Sequence, residues 1–323
     1  MKTKYLLFLG LGLLRINLVS AQLFQHHYSF DLIKSQPLVV LLPEEDPKEL
    51  RKLANKPEEL ADYKAYVAYY SKQMRVLAPR YWKYSPTVEF RPESALKEIR
   101  AAQGQRTVVL RYETHVNGAS TTGYHSTYKG SRQVAYMELT TPGSGDQNLE
   151  ADSPAPLDIM YPSDMVFALR TIQRQLETEE KRAAKAATGR SRQDILQEER
   201  ALNAAVDKAD AELIRSRTLL IAEGDLDPKL TAEGIRQFYP YPYQVVPRAT
   251  IEAAVQAGDT RYTYARRLCQ SVEVIGPFLI DAATSRTLAI ANTGGVDAGS
   301  KELIDKEVFK IYAAYVKRHL EEK

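Results

Sequence analysis

One cysteine, Cys269, is present in 323 residues, so no intramolecular disulfide can form and stability must come from burial. Its neighbours Arg267-Leu268-Cys269-Gln270-Ser271-Val272 read as a strand, which predicts a buried, inert thiol rather than a nucleophile. Charge of one sign is also scarce. The 44 Lys and Arg oppose 41 Asp and Glu, and the excess of +3 is carried by Lys2, Lys4 and Arg15 alone. No basic stripe stands apart from helices in which Arg and Lys alternate with Glu, so no nucleic-acid partner is expected. Missing as well are a Gly-x-Ser-x-Gly elbow, a Gly-rich phosphate loop, a Gly-x-Gly-x-x-Gly turn and a His-Glu-x-x-His helix. No cofactor is expected, and no motif specifies a reaction.

Long apolar runs are absent too. Tyr5 to Leu14 is broken by Arg15 and Asn17 after ten residues, against about 20 needed to span a bilayer. Lys2 and Lys4 precede the run and Val19-Ser20-Ala21 follows it, a pattern that predicts an export signal over residues 1–21, cleaved after Ala21. The mature chain from Gln22 would be periplasmic or secreted, with no integral membrane segment, balanced charge and no cysteine for a lipid anchor.

The remaining sequence predicts a mixed α/β fold. A flexible stretch, 22–36, leads into a first lobe over 37–140. There Pro37 to Leu42 is a continuous apolar run suited to a strand covered on both faces. From Pro57, apolar positions Leu60, Tyr63, Val67, Tyr70, Met74 and Leu77 step by three and four, a helix that Pro79 ends. Strands follow near Thr87 to Phe90, Arg106 to Tyr112 and Gln133 to Leu139, with a short helix from Glu93 to Ala102. The Gly/Pro/Asp-rich segment within 141–161 reads as a mobile linker. Over 162–216 an antiparallel helical hairpin is expected, turning at Thr188-Gly189-Arg190, capped by Ser191, with Ile195, Leu202, Val206, Ala209 and Leu213 as the seam of its second helix. That seam could recruit a second chain. A second lobe occupies 217–323.

The two lobes read as related. Leu38 to Leu42 with Asp46-Pro47-Lys48 matches Leu219 to Ala222 with Asp227-Pro228-Lys229 at an offset of 181, while Glu89-Phe90-Arg91-Pro92 matches Gln244-Val245-Val246-Pro247 at 155. An extra helix around Tyr63 to Met74 accounts for the difference. Each lobe then runs β-α-β-α-β-β-α.

From Val245-Val246-Pro247 through Phe278-Leu279-Ile280-Asp281-Ala282-Ala283-Thr284-Ser285-Arg286-Thr287-Leu288, the second lobe resembles small α/β modules of bacterial envelope proteins, the TolB amino-terminal domain and the CsgG family. Ser285 stands where those modules carry Gly. The resemblance implies a protein-binding module without catalysis.

Candidate sites are few. For zinc, His115 and His125 need a third ligand; Glu113 shares a strand face with His115, but His125 lies ten residues on, so no metal is expected. The polar segment Thr114 to Arg132 carries Ser120, Thr121, Thr122, Ser126 and Thr127 with Tyr124 and Tyr128, which suit a sugar or polar peptide, or the site of an exported hydrolase. Two aromatic clusters, Trp82 with Tyr84 and Tyr239 with Tyr241 and Tyr243, precede matching strands and could pair as a groove for a peptide or glycan. The expectation is therefore an exported, non-catalytic envelope accessory or binding protein. The alternatives are a hydrolase at 114–132 and small-molecule or glycan binding between the lobes.

Overall fold

The computed structural model describes residues 30–102, 107–116, 119–122, 133–142, 147–156, 159–271, 274–291 and 303–321. The export signal, Tyr124, His125 and Tyr128 lie outside them. The fold is mixed α/β, with a six-stranded and a five-stranded mixed sheet.

Strand β1 (Leu38–Leu42) is buried at all five positions because its apolar run is covered on both faces. It lies between β2 (Val88–Pro92) and β3 (Val108–Val116), parallel to both; β5 (Gln133–Pro142) and β6 (Gln147–Pro154) continue antiparallel, and β4 (Ala119–Thr122) folds back on β3. In the second sheet β7 (Thr218–Ala222) lies parallel between β8 (Tyr243–Val246) and β9 (Tyr262–Ser271), followed by antiparallel β10 (Val274–Asp281) and β11 (Thr287–Ile290). The orders β2-β1-β3-β5-β6 and β8-β7-β9-β10-β11 are the same.

Register repeats as well as order. Leu38 faces Val88 and Val108, and Leu219 faces Tyr243 and Thr263 (219 − 38 is 181; 243 − 88 and 263 − 108 are 155). Between β1 and β2 run α2 (Pro47–Leu53) and the 25-residue α3 (Pro57–Tyr81), where the second half has only α7 (Ala232–Phe238). The short α4 (Leu96–Ala101) precedes β3 as α8 (Arg248–Ala257) precedes β9.

The sheets do not bury their strands separately, as two self-contained lobes would. Helix α5 (Pro162–Ala187) lies between them, and one core joins Leu38, Val40 and Leu110 of the first sheet to Leu220, Tyr264 and Phe278 of the second. Phe167 of α5 meets Phe278 edge-on at 6.4 Å. The backbone continues the tie: Cys269, buried as expected, donates its N–H to the Ala155 carbonyl at 3.1 Å, and Ala155 donates to Ala135 at 2.9 Å. The outer faces are closed by α4 over Val39, Leu41 and Val109, and by α9 (Lys306–Leu320) over Leu219, Ile221 and Leu279.

Three expectations are corrected here. Residues 22–36 are not wholly flexible, because α1 (Phe30–Ser35) anchors Ile33 in the core. The linker expected over 141–161 contains β6, an edge strand that lacks apolar alternation and is held by its ladder to β5 and by α5 beneath it. The seam of α6 (Arg192–Ser216) is also displaced. Ile195 is buried, but Leu202 and Val206 are 54% and 42% exposed, and the docked face is Asp210, Ala211 and Ile214. That face docks through both kinds of contact: Ile214 joins the apolar core under α9, Asp210 pairs with Arg286, and Asp207 accepts from the Tyr315 hydroxyl at 3.2 Å. Near the turn the two helices are zipped by charge instead, Arg182 to Glu199 at 2.7 Å and Lys185 to Glu198 at 2.9 Å.

Candidate functional site

Where the chain leaves a central parallel strand for one neighbour and later arrives on its other side, the strand ends open a crevice. β1 is such a strand, since its first connection leads to β2 and the next leads back past it to β3. After Leu42 the chain reads Pro43-Glu44-Glu45-Asp46. The Asp46 carboxylate caps α2 by accepting from Lys48 N at 2.8 Å, and Asp46 N donates to the Tyr63 hydroxyl at 2.7 Å. Those two bonds fold α2 back against α3 and hold it over the strand ends. Across the crevice, Ser94 N donates to Glu44 Oε2 at 2.8 Å.

The resulting cleft, of about 510 Å³, is walled by Tyr63, Tyr66 and Tyr70 of α3 and floored by Leu41, Glu93 and Tyr112. A second cleft of about 680 Å³ opens on the far side of Tyr63 and Tyr66, bounded by Leu53, Tyr69, Ile159 and Tyr161. Glu49, Tyr63 and Tyr66 line both, so the two form one groove running from the first sheet toward the start of α5. Burial raises the Tyr63 hydroxyl, and it lifts Tyr69 to about 12, helped by the charges of Glu252 and Asp164. Burial also raises the Glu93 carboxyl, against the opposing pull of Arg111.

The equivalent crevice of the second sheet is filled by the chain itself. Arg266 of β9 stands 155 residues beyond Arg111 of β3 (266 − 111), and both are buried. Arg266 Nε donates to both Asp164 carboxylate oxygens, at 3.0 and 3.2 Å, and its Nη2 donates to the Ile159 carbonyl at 2.8 Å. The Tyr161 ring lies under the guanidinium groups of Arg248 and Arg266, 4.9 and 5.2 Å away. Glu252 of α8 accepts from Ser163 N and Oγ at 2.6 and 2.7 Å, closing the first turn of α5. Burial, then the nearby Asp164 charge, push Glu252 up to about 7. In the first sheet Arg111 pairs with Glu113 and, at 3.4 Å, with Glu138. Burial and the hydrogen bond to Glu138 raise Glu113 to about 8, so Glu113 holds its proton at neutral pH.

The aromatic clusters read from sequence do not form a groove. Trp82 is 2% exposed and packs in the shared core, with the Tyr84 ring 6.3 Å away; the Tyr84 hydroxyl donates to Glu180 at 3.1 Å. Tyr239 is fully buried against Phe309 in the other core, Tyr241 meets it edge-on at 5.2 Å, and the Tyr243 hydroxyl donates to the Ala232 carbonyl at 2.9 Å. The two sets belong to cores on opposite faces of the second sheet, and their rings do ordinary packing. Part of the polar segment from Thr114 is regular structure, the β3–β4 hairpin. The Asp281 to Ser285 turn is also packed: Arg170 and Arg174 of α5 donate to the carbonyls of Ala283 and Thr284 at 2.8 Å each. Ser285 has φ 55°, the left-handed conformation that glycine adopts most readily.

Sequence reasoning missed the groove-lining roles of Tyr63, Tyr66, Tyr69, Tyr70 and Glu93. The signal was the dense run Tyr63-Lys64-Ala65-Tyr66-Val67-Ala68-Tyr69-Tyr70, together with acidic residues directly after a buried strand. Among the described residues, no group of three or more His, Cys, Asp or Glu could hold a metal ion, and no helix is long and apolar enough to cross a membrane. No protein-family model matches the chain, and neither a curated protein nor a solved structure matches it.

Proposed function

We propose that this protein is an exported binding protein without a covalent step of its own, and that its ligand lies in the tyrosine-walled groove beneath α2 and α3. The observation that carries this reading is the merging of two clefts at Tyr63 and Tyr66, at the carboxyl ends of parallel strands and reaching toward Tyr161. Rigid Tyr rings offer area at little entropic cost. The carboxylates around them accept hydrogen bonds, so the ligand is one rich in donors. This is the small-molecule or glycan reading, with the site placed on α3 rather than on Trp82, Tyr84, Tyr239, Tyr241 or Tyr243. Export rests on residues 1–21, and an accessory role in the envelope on the likeness of 245–288 to modules that bind proteins.

The test is ligand-dependent thermal stabilisation across a panel of sugars, polyols, amines and short peptides, since a ligand selective for the folded state adds about 2.7 kcal/mol at 100 times its Kd. A ligand of the groove should lose its effect in Tyr66→Ala and in Ala65→Trp, whose indole would occupy the second cleft from an exposed position. Stabilisation that survives both variants would place the ligand elsewhere and end this reading.

A further inference from the structure

We infer that the groove takes an organic cation, its charged group seated toward Glu44 and Glu93 and its apolar body against the rings of Tyr63 and Tyr66. The inference rests on the binding reading above and adds the sign and chemistry of the ligand. Its starting point is the composition of the walls. Among the described residues neither cleft is lined by Lys, Arg or His, whereas carboxylates recur along the whole length.

Those carboxylates fall into two groups. Glu45, Glu49 and Glu59 are already paired with Lys64, Lys52 and Lys56, at 3.5, 3.3 and 2.8 Å, so their charge is answered from outside the groove. Among the described residues, Glu44, Asp46, Asp62 and Glu93 have no cation within ion-pair distance. Glu44 accepts from the backbone N–H of Ser94 and Asp46 from that of Lys48. Glu93 lines the cleft; among the described residues its Oε1, turned away from the open space, has no hydrogen-bond donor, and Arg111 and Arg100 pull on its charge only from a distance. Glu44 and Glu93 repel each other at the cleft, and a ligand that brings positive charge and N–H groups offsets that repulsion.

Aromatic walls favour the same class. A cation over a Tyr face is attracted by the ring quadrupole, more so where water is excluded. The chain uses this pairing at the neighbouring crevice, where Arg248 and Arg266 lie over Tyr161. A sugar is the poorer fit. Its hydroxyls need donors as well as acceptors, and here Ser94 N is engaged by Glu44 and the Tyr63 oxygen accepts from Asp46 N, which leaves the Tyr63 O–H as a donor among many carboxylate acceptors. A metal ion is a poorer fit too, because the carboxylates are strung along the groove and do not converge.

The experiment compares choline and agmatine with 3,3-dimethylbutan-1-ol, the neutral isostere of choline, and with methyl glucoside, by calorimetric titration and thermal shift on the full chain. Both cations are expected to bind, and the isostere to bind at least about tenfold more weakly. The double variant Glu44→Gln/Glu93→Gln, which keeps the acceptor for Ser94 N, is expected to weaken the cations by about tenfold or more while leaving the isostere unchanged. Equal binding of choline and its isostere, indifference of the cations to the double variant, or no binding of either cation at about 10 mM would each overturn the inference. Binding of the glucoside that Tyr66→Ala abolishes would overturn it while leaving the binding reading standing. Binding that Tyr66→Ala and Ala65→Trp leave untouched would remove both.

Discussion

Asp164→Ala is expected to lower the free energy of unfolding by about 3–5 kcal/mol. Asp164 and Arg266 are 1% and 2% exposed, and they face each other through two hydrogen bonds between the start of α5 and the middle of β9. The pair itself is no large net gain, because burial pushes the Asp164 carboxyl up in spite of Arg266. The loss comes from what remains. Arg266 would lose both carboxylate bonds and keep, among its partners, the Ile159 carbonyl, the Tyr161 ring and a distant Asp225, 3.9 Å away, for a full positive charge taken out of water. Tyr161 N would lose its acceptor as well. Asp164→Asn should cost less, since an amide oxygen still accepts. Replacing both partners, as Asp164→Leu/Arg266→Met, should recover most of the loss. Urea unfolding at constant m reads all three; a loss below about 1 kcal/mol for the alanine variant would show that the pair does not hold α5 to the second sheet.

Stability is expected to fall by a few kcal/mol as pH rises from about 5 to about 8. Several carboxyls taken out of water titrate above their ordinary range, among them Asp210 at about 6, Glu252 at about 7 and Glu113 at about 8, each raised chiefly by burial. An acid whose folded pKa exceeds its unfolded value binds its proton more tightly in the folded state. Its contribution is complete below about 4 and is lost as pH climbs through the folded pKa. Groups shifted the other way, such as Asp259 at about 2 with its Arg261 partner, act only below that window. The midpoint of thermal unfolding against pH measures the slope. Glu113→Gln should flatten its upper part, because an amide donates to Glu138 as the protonated acid does, and Glu252→Gln its middle. A slope unchanged in both would mean that neither proton is held as described.

Much of this architecture is legible from residue order. The three-and-four spacing from Tyr63 to Leu77 marks the face that α3 buries, with Tyr63, Tyr70, Met74 and Leu77 inside. The matching segments near residues 38 and 219 foretell equal strand orders and equal registers. What residue order hides is contact between halves. Every residue from Pro162 to Leu169 is buried, although the stripe Met165, Leu169, Ile172 and Leu176 suggests a helix covered on one side only. The apolar run Met165-Val166-Phe167-Ala168-Leu169 was the available sign that α5 is surrounded. β6 was hidden for the opposite reason: it carries Glu150, Asp152 and Ser153, and its pairing is supplied by backbone and by α5. The groove lies furthest from a linear reading. Glu44, Tyr63 and Glu93 come together only because Asp46 turns α2 back over the strand ends, and no spacing in the sequence encodes that turn.

The position of α5 bears on what becomes of a severed chain. The exposed Thr188-Gly189-Arg190 turn is the natural place for a protease to cut, and such a cut would break covalent continuity without separating the pieces. The amino-terminal fragment would keep the helix that the other fragment needs to cover Leu220, Tyr264 and Phe278. Neither piece is then a domain in the sense of a unit that folds alone; each is the other's missing half, and the two should assemble from separate polypeptides.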